Sequence, residues 1–184
     1  LNGGYEVRKA LAADPRTHPS VLSLLASAYL DEAELRDGEY SSLLSALVVN
    51  SALSPQVLES LASECDSLEL ESLLTNPSIP SDRIRSAANC DSQSLRAAAA
   101  RNPATPADVL FQLSHDPSPE VRAAAAGNPS IPTGLLVEDR WLPWAGLSAL
   151  SGGLICDSEP KVRDAVAANP RAPRWLLEAL ADKK

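Results

Sequence analysis

Three cysteines share one local phrase: Cys65-Asp66-Ser67, Cys90-Asp91-Ser92 and Cys156-Asp157-Ser158. His115-Asp116 falls in the same column. Thiolate and imidazole are the ligand types that suit zinc. The spacing argues against a shared ion. Equivalent positions in neighbouring helical repeats lie about 8–10 Å apart. That is too far for one tetrahedral ion with bonds of ~2.0–2.3 Å. It is also too far for a disulfide, whose Cα atoms stay within ~7 Å. No metal site and no cofactor is expected, and a Cys-ligated metal stands only as an alternative.

Catalytic chemistry has little to work with. The chain holds two histidines, His18 and His115. It has no glycine-rich phosphate loop, no Gly-x-Ser-x-Gly and no His-Glu-x-x-His. No catalytic residue is assigned. Two interruptions of an otherwise regular chain are the candidate contact sites, because insertions in repeat proteins project from the array. One is Asp31–Tyr40, acidic and ending in an aromatic, with Glu34, Asp37, Glu39 and Tyr40 as candidates. The other carries Arg140, Trp141 and Trp144, two of the three tryptophans, and runs on to Ser151-Gly152-Gly153. Tryptophan and arginine are frequent binding hot spots.

The regular part is a repeated phrase. Leu95-Arg96 leads to Asn102-Pro103, Pro106 and Leu110. Val121-Arg122 leads to Asn128-Pro129, Pro132 and Leu136. Val162-Arg163 leads to Asn169-Pro170, Pro173 and Leu177. Val7-Arg8 with Asp14-Pro15 opens another copy, and Asn50-Ser51 and Asn76-Pro77 mark two degenerate ones. The asparagine (or Asp14) ladder predicts six copies of 25–26 residues. Insertions enlarge the array near 29–40 and 137–153. Arg8, Arg96, Arg122 and Arg163 form a second ladder. Asp66, Asp91, Asp116, Asp157 and Asp182 form a third. Arginines are expected to bridge neighbouring copies, acids to cap helices, and asparagines to build turns.

Each copy holds two helical stretches. Thr105 suits an N-cap, Pro106 the first helical position, and Asp108 the dipole of that first turn. Val109, Leu110 and Leu113 then share a face. The second stretch starts near Asp116 or Asp157 and buries Val121, Ala124 and Ala125. The runs Ala97–Ala100 and Ala123–Ala126 favour helix over strand. Asn-Pro ends that helix, since a residue before proline resists the α region. So short a pair cannot bury its apolar stripe alone and must stack on its neighbours. The expected fold is all-α, a single solenoid over 1–184.

The phrase Val-Arg-x-Ala-x-Ala-x-Asn-Pro-x-x-Pro-x-x-Leu-Leu resembles the variant leucine-rich repeats, a bacterial family. The resemblance is specific over 90–136 and 157–181. It implies a right-handed superhelix alternating α and short or 3₁₀ helices, and a role as an interaction module. One member of that family carries an iron–sulfur cluster on a separate cysteine-rich segment. This chain has no such segment, so the cofactor is not carried over. The second and third copies depart from the phrase, with Leu43-Leu44 near the Val-Arg position and Glu69-Leu70 in its place.

Charge narrows the partner. The net charge is −8, and residues 37–82 hold eight acidic side chains and no lysine or arginine. Such a field repels phosphate backbones and suits a basic protein. No apolar run is long enough for a membrane helix. An odd number of cysteines points to a reducing compartment, the cytoplasm. The expectation is a non-enzymatic scaffold for a protein partner, without nucleic acid or membrane. The enzymatic alternative is a helical-repeat DNA glycosylase, with Asp139, Arg140, Trp141 and Trp144 around an extruded base.

Overall fold

Asn102, Asn128 and Asn169 each precede a proline and sit in extended backbone, with ψ of 125°, 128° and 127°. The proline ring forces that geometry and stops the helix before it. The chain therefore breaks into short helices. The computed structural model describes residues 2–31, 39–137 and 153–176, with side chains from 4 and from 42 in the first two stretches. All regular structure there is helical. No described helix is long and apolar enough to cross a membrane.

The chain packs as two compact units, Leu1–Ile84 and Arg85–Lys184. Unit 1 contains α1 (Asn2–Ala13), α2 (Pro19–Asp31), α3 (Glu39–Val48), α4 (Pro55–Glu64) and α5 (Ser67–Leu73). Helix α6 (Ser81–Ala88) straddles the division. Unit 2 contains α7 (Gln93–Arg101), α8 (Ala107–Leu113), α9 (Pro119–Gly127), α10 (Thr133–Leu136), a 3₁₀ turn at Leu154–Cys156 and α11 (Pro160–Ala168).

Stacking follows the predicted scheme within each unit. In unit 1 the helices that end at the ladder residue form one row, α1 on α3 on α5, with α2 on α4 beside it. In unit 2 the corresponding row is α7 on α9 on α11. Small side chains allow that close row: Ala97 to Ala100 are all buried, as are Ala125 and Ala126. Ala124, expected in the buried stripe, is only half-buried. Val109, Leu110 and Leu113 of α8 are buried together, as expected. Leu22, Leu43, Leu47, Leu58 and Leu61 fill unit 1; Val121, Ile131, Leu136, Val162 and Val166 fill unit 2. Each such side chain stabilises its layer by about 1.5–3 kcal/mol.

The proline-led stretch of each pair is an α-helix, down to four residues in α10. Leu154–Cys156 is a 3₁₀ turn. It is entered from Gly153 at φ 79°, a left-handed conformation that glycine tolerates without Cβ strain.

Candidate functional site

The ladder asparagines are almost fully buried: Asn50, Asn76, Asn102, Asn128 and Asn169. A buried amide is costly unless its donors and acceptor are matched. Each Oδ1 accepts the backbone N–H two residues on, from Ala52, Ser78, Ala104, Ser130 or Arg171. In Asn50, Asn76, Asn128 and Asn169 the Nδ2 also donates to carbonyls of the preceding copy. Asn50 reaches Ala12 and Asp14 at 2.8 and 3.0 Å. Asn76 reaches Val48 at 2.6 Å. Asn128 reaches Ala100 and Asn102 at 2.6 and 2.7 Å, and Asn169 reaches Ala126 and Asn128 at 2.6 and 3.0 Å. Asp14 keeps the accepting half, taking the N–H of Arg16 at 2.9 Å. The turn role expected of these residues is confirmed, and the bridge to the preceding copy is an addition to it.

The arginine and aspartate ladders close on each other in unit 2. Arg96 donates to Asp116 at 2.7 and 3.2 Å, and Arg122 to Asp157 at 2.7 and 3.0 Å. Each arginine also reaches back to two carbonyls ahead of its own helix. Arg96 takes Cys90 and Asp91, Arg122 takes Asp116 and Pro117, and Arg163 takes Asp157 and Ser158. Burial works to raise the Asp116 carboxyl pKa. The Arg96 hydrogen bond and the Ser118 N–H outweigh it, so it lies below the ordinary value. Hydrogen bonding to Arg122 likewise lowers Asp157, and Asp157 raises Arg122. Asp182, the next acid in this column, lies outside the described residues.

The caps differ in detail from expectation. Asp66 is a true N-cap, with a capping box to Glu69. Asp116 and Asp157 stand two residues ahead of the caps Ser118 and Glu159, whose N–H groups they accept at 2.8 and 3.0 Å. Prolines 119 and 160 already occupy the first helical positions, which displaces the cap by two residues. Helix α8 is capped by Pro106, not by Thr105. Thr105 is buried and donates its hydroxyl to the carbonyls of Ala99 and Asn102. Asp108 pairs with Arg85 at 2.5 Å.

Cys65 and Cys90 are half-buried and Cys156 is exposed. The Cys90 thiol donates to the Ala87 carbonyl at 3.0 Å. His115 turns back on its own helix: Nδ1 lies 2.9 Å from the Phe111 carbonyl, and the ring tilts against Phe111. Among the described residues no group of three His, Cys, Asp or Glu side chains could hold a metal ion.

The sequence-based contact candidates fall largely elsewhere. Glu34, Asp37, Arg140, Trp141 and Trp144 lie outside the described residues. For Glu39 and Tyr40 the described structure gives only their backbone, at the start of α3. Sequence reasoning missed the open face of the stacked rows. In unit 2 a groove of about 450 Å³ is lined by Arg101, Glu120, Ala123, Ala124, Gly127 and Lys161. In unit 1 a groove of about 470 Å³ is lined by Leu44, Leu68, Glu69, Glu71, Ser72 and Thr75. Counted back from the ladder asparagine, four positions coincide: eight, five, four and one residues before it. That shared register was the signal available in the sequence.

Comparison with known proteins agrees with the phrase. No curated protein and no solved structure matches the chain. Residues 95–118 match the family model described as leucine rich repeat variant. That stretch holds Arg96 and Asp116, one of the ion pairs that join copies of unit 2, and Asn102, whose carbonyl accepts from Asn128. Over those residues the chain is thus similar to a repeat of the leucine rich repeat variant family.

Proposed function

We propose that this chain is a non-enzymatic protein-interaction module of the cytoplasm. One observation carries the reading. The polar groups most regular in the sequence are spent on joining copies to one another, and the faces of the helix rows stay open. A repeat array of this kind offers an extended surface rather than a reaction centre. The family matched over 95–118 is a helical repeat family often involved in protein interaction and not enzymatic in general. An odd number of cysteines, three, suits a reducing compartment.

The insertion between Val137 and Gly153 supplies Arg140, Trp141 and Trp144 as partner anchors. The connector between α2 and α3 supplies Glu34, Asp37, Glu39 and Tyr40. The charge of residues 37–82 selects a basic partner and disfavours nucleic acid. Affinity capture with the wild type and with a Trp141→Ala/Trp144→Ala pair tests the anchors. The expected result is a defined set of proteins retained by the wild type and lost from the folded variant. Equal capture by both would remove the insertion from the site.

A further inference from the structure

The residue eight before each ladder position is Glu6, Ser42, Leu68, Ser94, Glu120 or Lys161, and the residue one before is Ala13, Val49, Thr75, Arg101, Gly127 or Ala168. Nearly all of these are exposed. Leucine and valine stand out: every other copy has a polar residue in the first column and a small, polar or charged one in the second. Leu68 is 75% exposed and Val49 74%. Single exposed aliphatic residues are ordinary. These two fall in consecutive copies. In unit 2 the matching positions, Arg101 and Glu120, line one groove. By register, Val49 and Leu68 flank the corresponding groove of unit 1.

We propose that this groove, with Leu44, Leu68, Glu71, Ser72 and Thr75 in its lining, receives an aliphatic side chain from a lysine- or arginine-rich segment of another protein. The inference rests on the reading of the chain as an interaction module and names the partner's chemistry. Leu44 is buried and supplies an apolar lining; Leu68 supplies an exposed edge. Glu69 is held by the capping box and by the Tyr29 hydroxyl. Unit 1 carries thirteen acidic against five basic side chains, so the whole net charge of −8 lies there. An anionic lipid surface or a nucleic acid is repelled by that field. A second copy of the same unit brings the same charge. A cationic segment is attracted, and an aliphatic side chain on it completes the apolar contact.

The test uses the full chain and two labelled synthetic peptides, read by fluorescence anisotropy at near-physiological salt. One peptide repeats a lysine pair followed by a leucine; the other has serine in place of leucine. The leucine peptide is expected to bind about tenfold more tightly. Leu68→Ser removes that advantage. Glu71→Lys weakens both peptides much more than Asp82→Lys, which reverses a charge elsewhere in unit 1. Unchanged melting curves show that the variants fold. Equal binding of the two peptides, an unaffected Leu68→Ser variant, or equal losses at positions 71 and 82 would overturn the proposal. Self-association abolished by Leu68→Ser would also overturn it, by giving the groove to a second copy. Loss of capture in the tryptophan variant alongside a negative peptide result leaves the module reading standing without this groove. The converse pair of results keeps this groove and removes the tryptophan anchors.

Discussion

Units 1 and 2 repeat the same chain rule with different polar joints. In unit 2 an asparagine bridge and an arginine–aspartate bridge recur from copy to copy, and acidic and basic side chains number eleven each. In unit 1 the asparagine bridge persists, from Asn50 and Asn76. Other pairs join the helices there: the Tyr5 and Ser42 hydroxyls, the Tyr29 hydroxyl with Glu69, and Arg83 with Glu59. The buried amide is therefore the joint common to both units, while the arginine–aspartate joint is replaceable. Leu44 and Leu70 stand at two ladder positions that hold arginine in unit 2, which accounts for two of the eight net negative charges of unit 1; the rest comes from its acidic side chains.

Substitutions sharpen that contrast. The largest effect is expected at Asn128. Asn128→Ala removes the partners of the Ala100 carbonyl and the Ser130 N–H and one of the donors to the Asn102 carbonyl, at a cost of about 3 kcal/mol in chemical denaturation. Asp14→Asn, in a position without that bridge, is expected to leave the denaturation midpoint nearly unchanged. Similar losses at both sites would break the distinction between bridged and unbridged positions.

The ion pairs come next. Arg122 and Asp157 side chains are 17% and 9% exposed, whereas Arg83 and Glu59 are 30% and 46% exposed. Arg122→Met strands a largely buried carboxylate and is expected to cost about 2 kcal/mol. Arg83→Met is expected to cost about 0.5 kcal/mol. Denaturation midpoints of the two variants compare them directly. Equal losses would mean that the joints of the two units are equivalent after all.

Acid should act through the same pairs. Asp116 and Asp157 have carboxyls below their ordinary value when folded. The unfolded chain binds protons first, near pH ~3.9 for aspartate. Their stabilisation is complete above that value and is lost as the pH falls through the lower folded values. Melting of the wild type should drop below about pH 4, and Asp157→Asn should flatten that dependence. The smallest effect is expected for Asp108→Ala. Its pair with Arg85 is exposed, so removal should leave the denaturation midpoint nearly unchanged.

Much of this was legible in the residues. The Asn-Pro phrase and the alanine runs gave the helical breaks, the buried row and the bridging arginines. Legibility failed where two residues competed for one task. Thr105 has the chemistry of an N-cap, but its hydroxyl finds the Ala99 and Asn102 carbonyls, and Pro106 takes the cap. Asp116 has it too, but Pro119 fixes the helix start two residues later. The donors of the asparagines were equally hidden, since a turn role satisfies the acceptor alone. The grooves needed the stacked register of neighbouring copies, which no single copy displays.

The central claim is that buried asparagines tie copies together within each unit. Residue-resolved hydrogen exchange of the side-chain amides reads it most directly. The Nδ2 protons of Asn50, Asn76, Asn128 and Asn169 are donated to backbone carbonyls of the preceding copy. They are predicted to exchange as slowly as the helix interiors beside them. Exchange at the rate of exposed side-chain amides would contradict the account.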